Sequence, residues 1–195
     1  MQNELRCILR FDSARNAMEL STLLCQPIID WERILVLVPE LRPLVGFDQH
    51  NIHHCFDVWE HTVQCVLHTP DDPVLRLAAL FHDVGKPQCF RLDEHGVGHS
   101  YGHARVSADM SREILSRFGF DLAIIDRVWL LVDRHDMQIE LQYKYVRRAM
   151  LRLGEAVFWQ LVKLKRADNL AQAPAFHCRQ AYYDQLESIA KTVVL

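Results

Sequence analysis

The stretch "LAALFHDVGKP", residues 77–87, decides how this chain is read. An apolar run suited to a helix buried on nearly every side stops on His82 and Asp83, and Gly85, Lys86 and Pro87 close the segment. Ionisable groups at the end of a buried run are costly unless they are paired or hold a metal. The residues that accompany this pair therefore carry the function.

Upstream, Asp72-Pro73 opens the same helix, and Gly85 is expected to stop it. Before that, "HHCFDVWEHTVQCVLH" places Val58, His61, Thr62, Cys65 and Val66 on one helical face. Downstream, residues 88–102 lose the helical period. Phe90 and Leu92 alternate, "DEHG" supplies turn residues, and Val97, His99 and Tyr101 alternate again, which predicts one small β-hairpin near 88–101. Helical patterns then cover 103–118, 121–135 with Asp121 as N-cap, 144–153 and 155–172. Towards the N-terminus, 13–25 and 31–41 read as short amphipathic helices, with Pro27 between them and Pro43 ending the second. The fold class is all-α, a helical bundle with that single hairpin.

Three helices aim a polar group inward. His61 lies between Val58 and Cys65, His82 continues Leu75, Ala78 and Ala79, and Asp168 continues Val157, Leu161 and Leu164. One metal ion would offset the burial cost of all three. His103 opens one helix and His135 closes another, so both can border the same cavity. Each residue alone has a plainer reading: a hydrogen-bonded core histidine, a salt-bridged Asp168, a His135 that favours the helix dipole, a solvated Lys86. Those readings do not explain the set. A mixture of His and carboxylate suits Fe, Mn or a similar first-row ion better than Ca or Mg, and argues against a structural Cys/His zinc site.

Composition narrows the classes. Half of the 195 residues are hydrophobic and 24% charged, ordinary for a soluble globular chain. The net charge of -3 gives no general reason for nucleic-acid or membrane binding, and no apolar run reaches the length of a membrane span. Six scattered cysteines without a CxxC pair point to reduced thiols and a cytoplasmic location. Histidine is the unusual residue: nine of the eleven lie between His50 and His103.

The order His61, then His82-Asp83, then Asp168 resembles the HD-domain superfamily of metal-dependent phosphohydrolases, with "EHT", "ALFHDVGKP" and "KRADNL" as the matching contexts. The resemblance implies a helical domain holding one or two divalent transition metals (Fe, Mn, Co, Ni or Zn) on His61, His82, Asp83 and Asp168. His103 and His135 look like the additions of members that carry two. Such members usually have a further histidine beside the His135 position, where this chain has Asp136. Hydrolysis of nucleotide phosphate esters is implied, with Asp83 as bridging ligand and catalytic residue and Lys86 facing the phosphate. Among the loop histidines, His54 and His99 are expected to line the pocket.

Longer stretches narrow the resemblance. "GFDQHNIHHCFDVWEHT", "GHARVSADM" and "VRRAMLRLGEAVFWQLVKLKRADNLAQ" resemble the C-terminal half of bacterial CCA-adding enzymes and poly(A)-polymerase-like proteins. The segment 1–45 resembles the helices that join their nucleotidyltransferase head to the HD region, which divides the chain into 1–45, an HD domain at 46–175 and a C-terminal helix at 176–195. The head's Gly-Ser and Asp-x-Asp pattern does not occur, so nucleotide addition by this polypeptide alone is not expected. Lys144, Arg148 and Arg152 make a basic stripe at helical spacing; a solvated face is the plain reading, and contact with tRNA is the alternative the resemblance raises, with Arg148 as a substrate contact.

Overall fold

Aspartates start the helix that carries His61 and the helix that leads into His82. The computed structural model describes residues 16–51, 55–173 and 179–195, and among these the chain is helical apart from one short hairpin. Asp57 caps α3 (Val58–His68): its side chain accepts from the backbone N–H of Glu60 at 2.7 Å, and Glu60 accepts in return from the N–H of Asp57 at 3.3 Å. A reciprocal cap of this kind contributes about 1 kcal/mol. Asp72 caps α4 (Pro73–Phe81) by accepting from Val74 and Leu75, with Pro73 at the first helical position, where its missing N–H costs nothing.

Residues 16–24 form α1, and α2 is Trp31–Leu37. The helix expected over 31–41 divides: Pro39 cannot donate a backbone hydrogen bond, so α2 ends and a 3-10 turn, Pro39–Leu44, follows with Pro43 inside it. α4 likewise stops at Phe81 rather than at Gly85, so His82 and Asp83 sit in the turn between α4 and the short α5 (Lys86–Cys89). Strands β1 (Arg91–Leu92) and β2 (Gly98–His99) pair antiparallel, Arg91 opposite His99 and Leu92 opposite Gly98. Then come α6 (His103–Phe118), α7 (Leu122–Arg134), α8 (Tyr143–Leu153), α9 (Glu155–Leu170) and α10 (Gln180–Ala190). Asp121 precedes α7 as expected, although its side chain makes no capping bond.

The main core joins α1 to α4, α6, α7 and the inner face of α9, with Leu20, Ile34, Leu75, Phe81, Leu131 and Leu161 fully buried. A second cluster, including Val146, Met150, Phe158, Val162 and Leu186, holds α8 and α10 against the other side of α9. Helix α9 thus belongs to both clusters, which explains why its inward residues are apolar on two sides. α3 packs on α9 and α4 on α7, and the HD turn is enclosed between these pairs.

Gly85 has a role other than stopping a helix. A Cβ there would lie 2.8 Å from the backbone N of Ser107 and 2.9 Å from Val106 Cγ1, so its bare backbone lets α6 approach the HD turn. The N–H of Gly85 donates to Ser107 Oγ at 2.9 Å and locks that contact.

Candidate metal centre

Four histidines from four parts of the fold converge on Asp83. Each has its Nδ1 beside a backbone carbonyl: His61 at 3.1 Å from Ala171 O, His82 at 2.8 Å from Ala79 O, His103 at 2.8 Å from Ser100 O and His135 at 2.7 Å from Val132 O. A carbonyl only accepts, so Nδ1 carries the proton and the neutral ring presents the lone pair of Nε2. The four Nε2 atoms then meet in pairs, His61 with His82 and His103 with His135, both at 3.2 Å. Facing lone pairs at that distance repel unless a cation lies between them.

Asp83 separates the two pairs. Its Oδ2 is 3.1 Å from His82 Nε2 and 3.6 Å from His61 Nε2, while its Oδ1 is 3.1 Å from His103 Nε2 and 3.9 Å from His135 Nε2. Asp168 Oδ1 completes the first group at 3.1 Å from His61 Nε2 and 3.8 Å from His82 Nε2. Donor atoms of His61, His82 and Asp168 lie close enough together to hold one ion, and those of Asp83, His103 and His135 to hold another. Although Lys86 Nζ is only 2.7 Å from Oδ2, both carboxylate oxygens of Asp83 are buried and receive no hydrogen bond of good geometry. A buried carboxylate left so is costly, and a divalent cation on each side satisfies it. The donor set fits the metals that its chemistry suggests.

Electrostatics agree with the geometry. Burial alone would raise the carboxyl of Asp83, yet the charges of His82 and Lys86 hold it well below the usual range. Asp168 is partly buried, which would raise its carboxyl, yet it is lowered through its bond and charge interaction with His61. Burial pulls His82 down, and the charge of Asp83 more than offsets this, lifting it to about 9. His103 is raised in the same way, with burial opposed by Asp83. His135 goes the other way: burial, aided by the neighbouring His82 and His103, pushes it down to about 4 against the pull of Asp136.

The centre forms the floor of a cavity of about 320 Å³, lined among others by Lys86, Gln49, His99, Ser100, Tyr101 and Asp136. Lys86 is buried and also donates to Gln49 Oε1 at 2.7 Å. His99 lines the cavity, with Nε2 2.9 Å from Asp93 Oδ2. Of the other residues expected from the sequence, Arg148 is not in this cavity: it is exposed on α8 and lines a separate one of about 250 Å³ with Arg134, Tyr145 and Arg152. The stripe that carries it lies on the exposed side of α8, opposite the buried Val146 and Met150. His54 lies outside the described residues.

Residues 51–173 match the HD domain family. The chain belongs to that family. As an HD domain protein it is similar to the CC-adding tRNA nucleotidyltransferase of Thermus thermophilus, 42% identical over 70% of this chain and 32% of the relative. It is 35% identical to the A-adding tRNA nucleotidyltransferase of Deinococcus radiodurans over 88% of this chain and 39% of the relative. A bifunctional uridylyltransferase/uridylyl-removing enzyme of Ruegeria pomeroyi is 26% identical over 55% of the chain and 13% of the relative. The HD domain chain thus spans roughly a third of the length of the two tRNA enzymes. No helix among the described residues is long and apolar enough to cross a membrane.

Two residues around the centre, Gln49 and Lys165, escaped sequence reading, and a third, Asp136, was read only as standing where a histidine is usual. Gln49 holds Lys86 from 37 positions away, and no local pattern marks it. Asp136 places Oδ2 3.5 Å from His103 Nε2 and Oδ1 3.6 Å from His135 Nε2, within reach of the second group. Lys165 is buried, is lowered by that burial, and donates from Nζ to the carbonyl of His135. It shares the inward stripe of Val157, Leu161 and Leu164, a signal the sequence did contain.

Proposed function

We propose that the chain is a metal-dependent phosphohydrolase acting on phosphate esters of nucleotides. The observation that carries this is Asp83: one buried carboxylate with an oxygen turned to each of two donor groups, at the floor of a cavity that also holds a lysine. His61, His82, Asp83 and Asp168 would hold one ion, and Asp83, His103 and His135 a second. When bound, the metals supply Lewis acidity and bring the acidity of water towards neutral pH.

The chain's own groups supply the rest. Lys86 has three N–H donors: one is given to Gln49 Oε1, and the ammonium is ion-paired with Asp83 Oδ2 at 2.7 Å. A remaining N–H binds a non-bridging phosphoryl oxygen and offsets its charge. Backbone carbonyls hold the imidazoles of His61, His82, His103 and His135 in the tautomer that turns the Nε2 lone pair toward the centre. In the reaction water adds to phosphorus, the ester P–O bond breaks, and the released alcohol oxygen takes up a proton. Relatives named for uridylyl removal as well as transfer are in keeping with a hydrolytic site.

The test is hydrolysis by the metal-loaded protein, read as phosphate released from nucleoside monophosphates and as monoester and alcohol released from cyclic nucleotides and a simple phosphodiester, beside an Asp83→Asn variant purified identically. Activity at one of these that the variant lacks supports the reading. Equal release by both preparations overturns it.

A second reading has its own observation. Helix α8 exposes Lys144, Arg147, Arg148 and Arg152, contains no acidic residue, and has none of these four in the cavity of the metal centre. Together with relatives named as tRNA nucleotidyltransferases, this supports an RNA-holding role for that face, separate from hydrolysis.

A further inference from the structure

The cavity above the metal centre has an aromatic rim that the hydrolytic reading does not use. Tyr101 is 79% exposed, yet it lines the same cavity as Asp83, Lys86 and His103. Its ring lies parallel to that of His99, 6° between planes and 5.1 Å between centroids, an offset stack. His99 is braced by Asp93, whose other oxygen accepts from the backbone N–H groups of His95 and Val97 at 2.9 Å each.

The hairpin bearing this stack is fixed to the wall of the cavity. The N–H of Gly98 donates to His50 O at 2.8 Å, and a Cβ on Gly98 would fall 2.1 Å from the carbonyl oxygen of Gln49 and 2.6 Å from the ring of Phe90. Gln49 is the residue that holds Lys86. The aromatic rim and the lysine that faces the phosphate are therefore joined through Gln49 and its neighbour His50. A single exposed aromatic is ordinary on a protein surface; one already stacked, braced and placed at the mouth of a charged cavity has one face preorganised and the other open.

We propose that the open face of Tyr101 is a stacking platform for the base of a nucleotide whose phosphate lies at the metal centre. This rests on the phosphohydrolase reading and names its substrate class: nucleoside phosphates in preference to sugar or alkyl phosphates. Stacking accepts any base, since every base has a π face. The platform thus separates base-bearing from base-free esters rather than one base from another.

Calorimetric titration of the metal-loaded full chain tests this with three ligands: a nucleoside 5′-phosphonate, the matching ribose 5-phosphonate and inorganic phosphate. The phosphonates resist hydrolysis because carbon replaces the ester oxygen. The nucleoside ligand is expected to bind about tenfold or more tighter than the ribose ligand. Tyr101→Ala should erase that difference and leave the ribose ligand and phosphate unchanged, while Tyr101→Phe should keep it. Equal affinities in the unmodified protein, or equal weakening of both phosphonates by Tyr101→Ala, overturns the platform alone. Failure of all three ligands to bind overturns the phosphohydrolase reading and the platform with it.

Discussion

Nε2 of His61 and Nε2 of His82 face each other at 3.2 Å, and each ring has committed its other nitrogen to a backbone carbonyl. Only a cation relieves that arrangement. Without a metal, the cation is a proton on His82, whose pKa stands at about 9 because the charge of Asp83 more than offsets burial.

Metal entry must displace that proton, so its apparent affinity should rise roughly tenfold per pH unit up to about pH 9. Calorimetry in buffers of different ionisation enthalpy counts the protons released; an affinity flat between pH 6 and 9 contradicts the assignment. Stability follows with a definite sign. The folded value lies above the unfolded imidazole value of about 6.5, so this contribution is full below that pH and is lost as pH rises through about 9. Metal-free protein should melt at a lower temperature at pH 9 than at pH 6.5, a difference the metal-loaded protein should lack.

Asp83→Asn keeps the shape of the side chain and removes its charge. Both donor groups lose the carboxylate between them, so elemental analysis should find less than about a tenth of the original metal, with helical circular dichroism retained. Wild-type metal content in this variant would exclude Asp83 as the shared ligand.

Gly85→Ala places a Cβ against the backbone of Ser107. Helix α6 must move away by a few tenths of an ångström, and it carries His103 at its first position. The expected result is loss of one metal equivalent, that of the Asp83, His103 and His135 group, while the group of His61, His82 and Asp168 stays loaded. Loss of both equivalents, or of neither, would mean that the two groups do not respond independently to the packing of α6.

The stripe on α8 offers a separate test. Replacing Lys144, Arg148 and Arg152 by Glu should weaken tRNA binding and reduce the slope of log K against log salt by about 2–3, without changing metal content. An unchanged slope assigns the stripe to solvent.

Helical periodicity made much of this protein legible before any tertiary information. Val58, His61, Thr62, Cys65 and Val66 are all buried on one face of α3, as their spacing implies, and Asp168 does continue the stripe of Val157, Leu161 and Leu164. The hairpin at 88–101 was marked by a change of period and by turn residues. Arg148 lines a different cavity from the metal centre, and helical spacing could not show this because it reports which residues share a face and not what that face meets. Gly85 read as a helix stop because a close approach by Ser107 leaves no trace in neighbouring residues.

Local order along the chain therefore decided the all-α class, the helices and the inward polar residues, since each depends on neighbours within a turn or two. Tertiary packing decided how Asp83 divides its two oxygens, which carbonyl holds each imidazole, that Gln49 anchors Lys86, and that Tyr101 rests on His99 at the mouth of the cavity. These depend on where α3, α4, α6, α7 and α9 meet. Donor geometry of a few ångströms is set by the packing of elements distant in sequence, and periodicity carries no record of it.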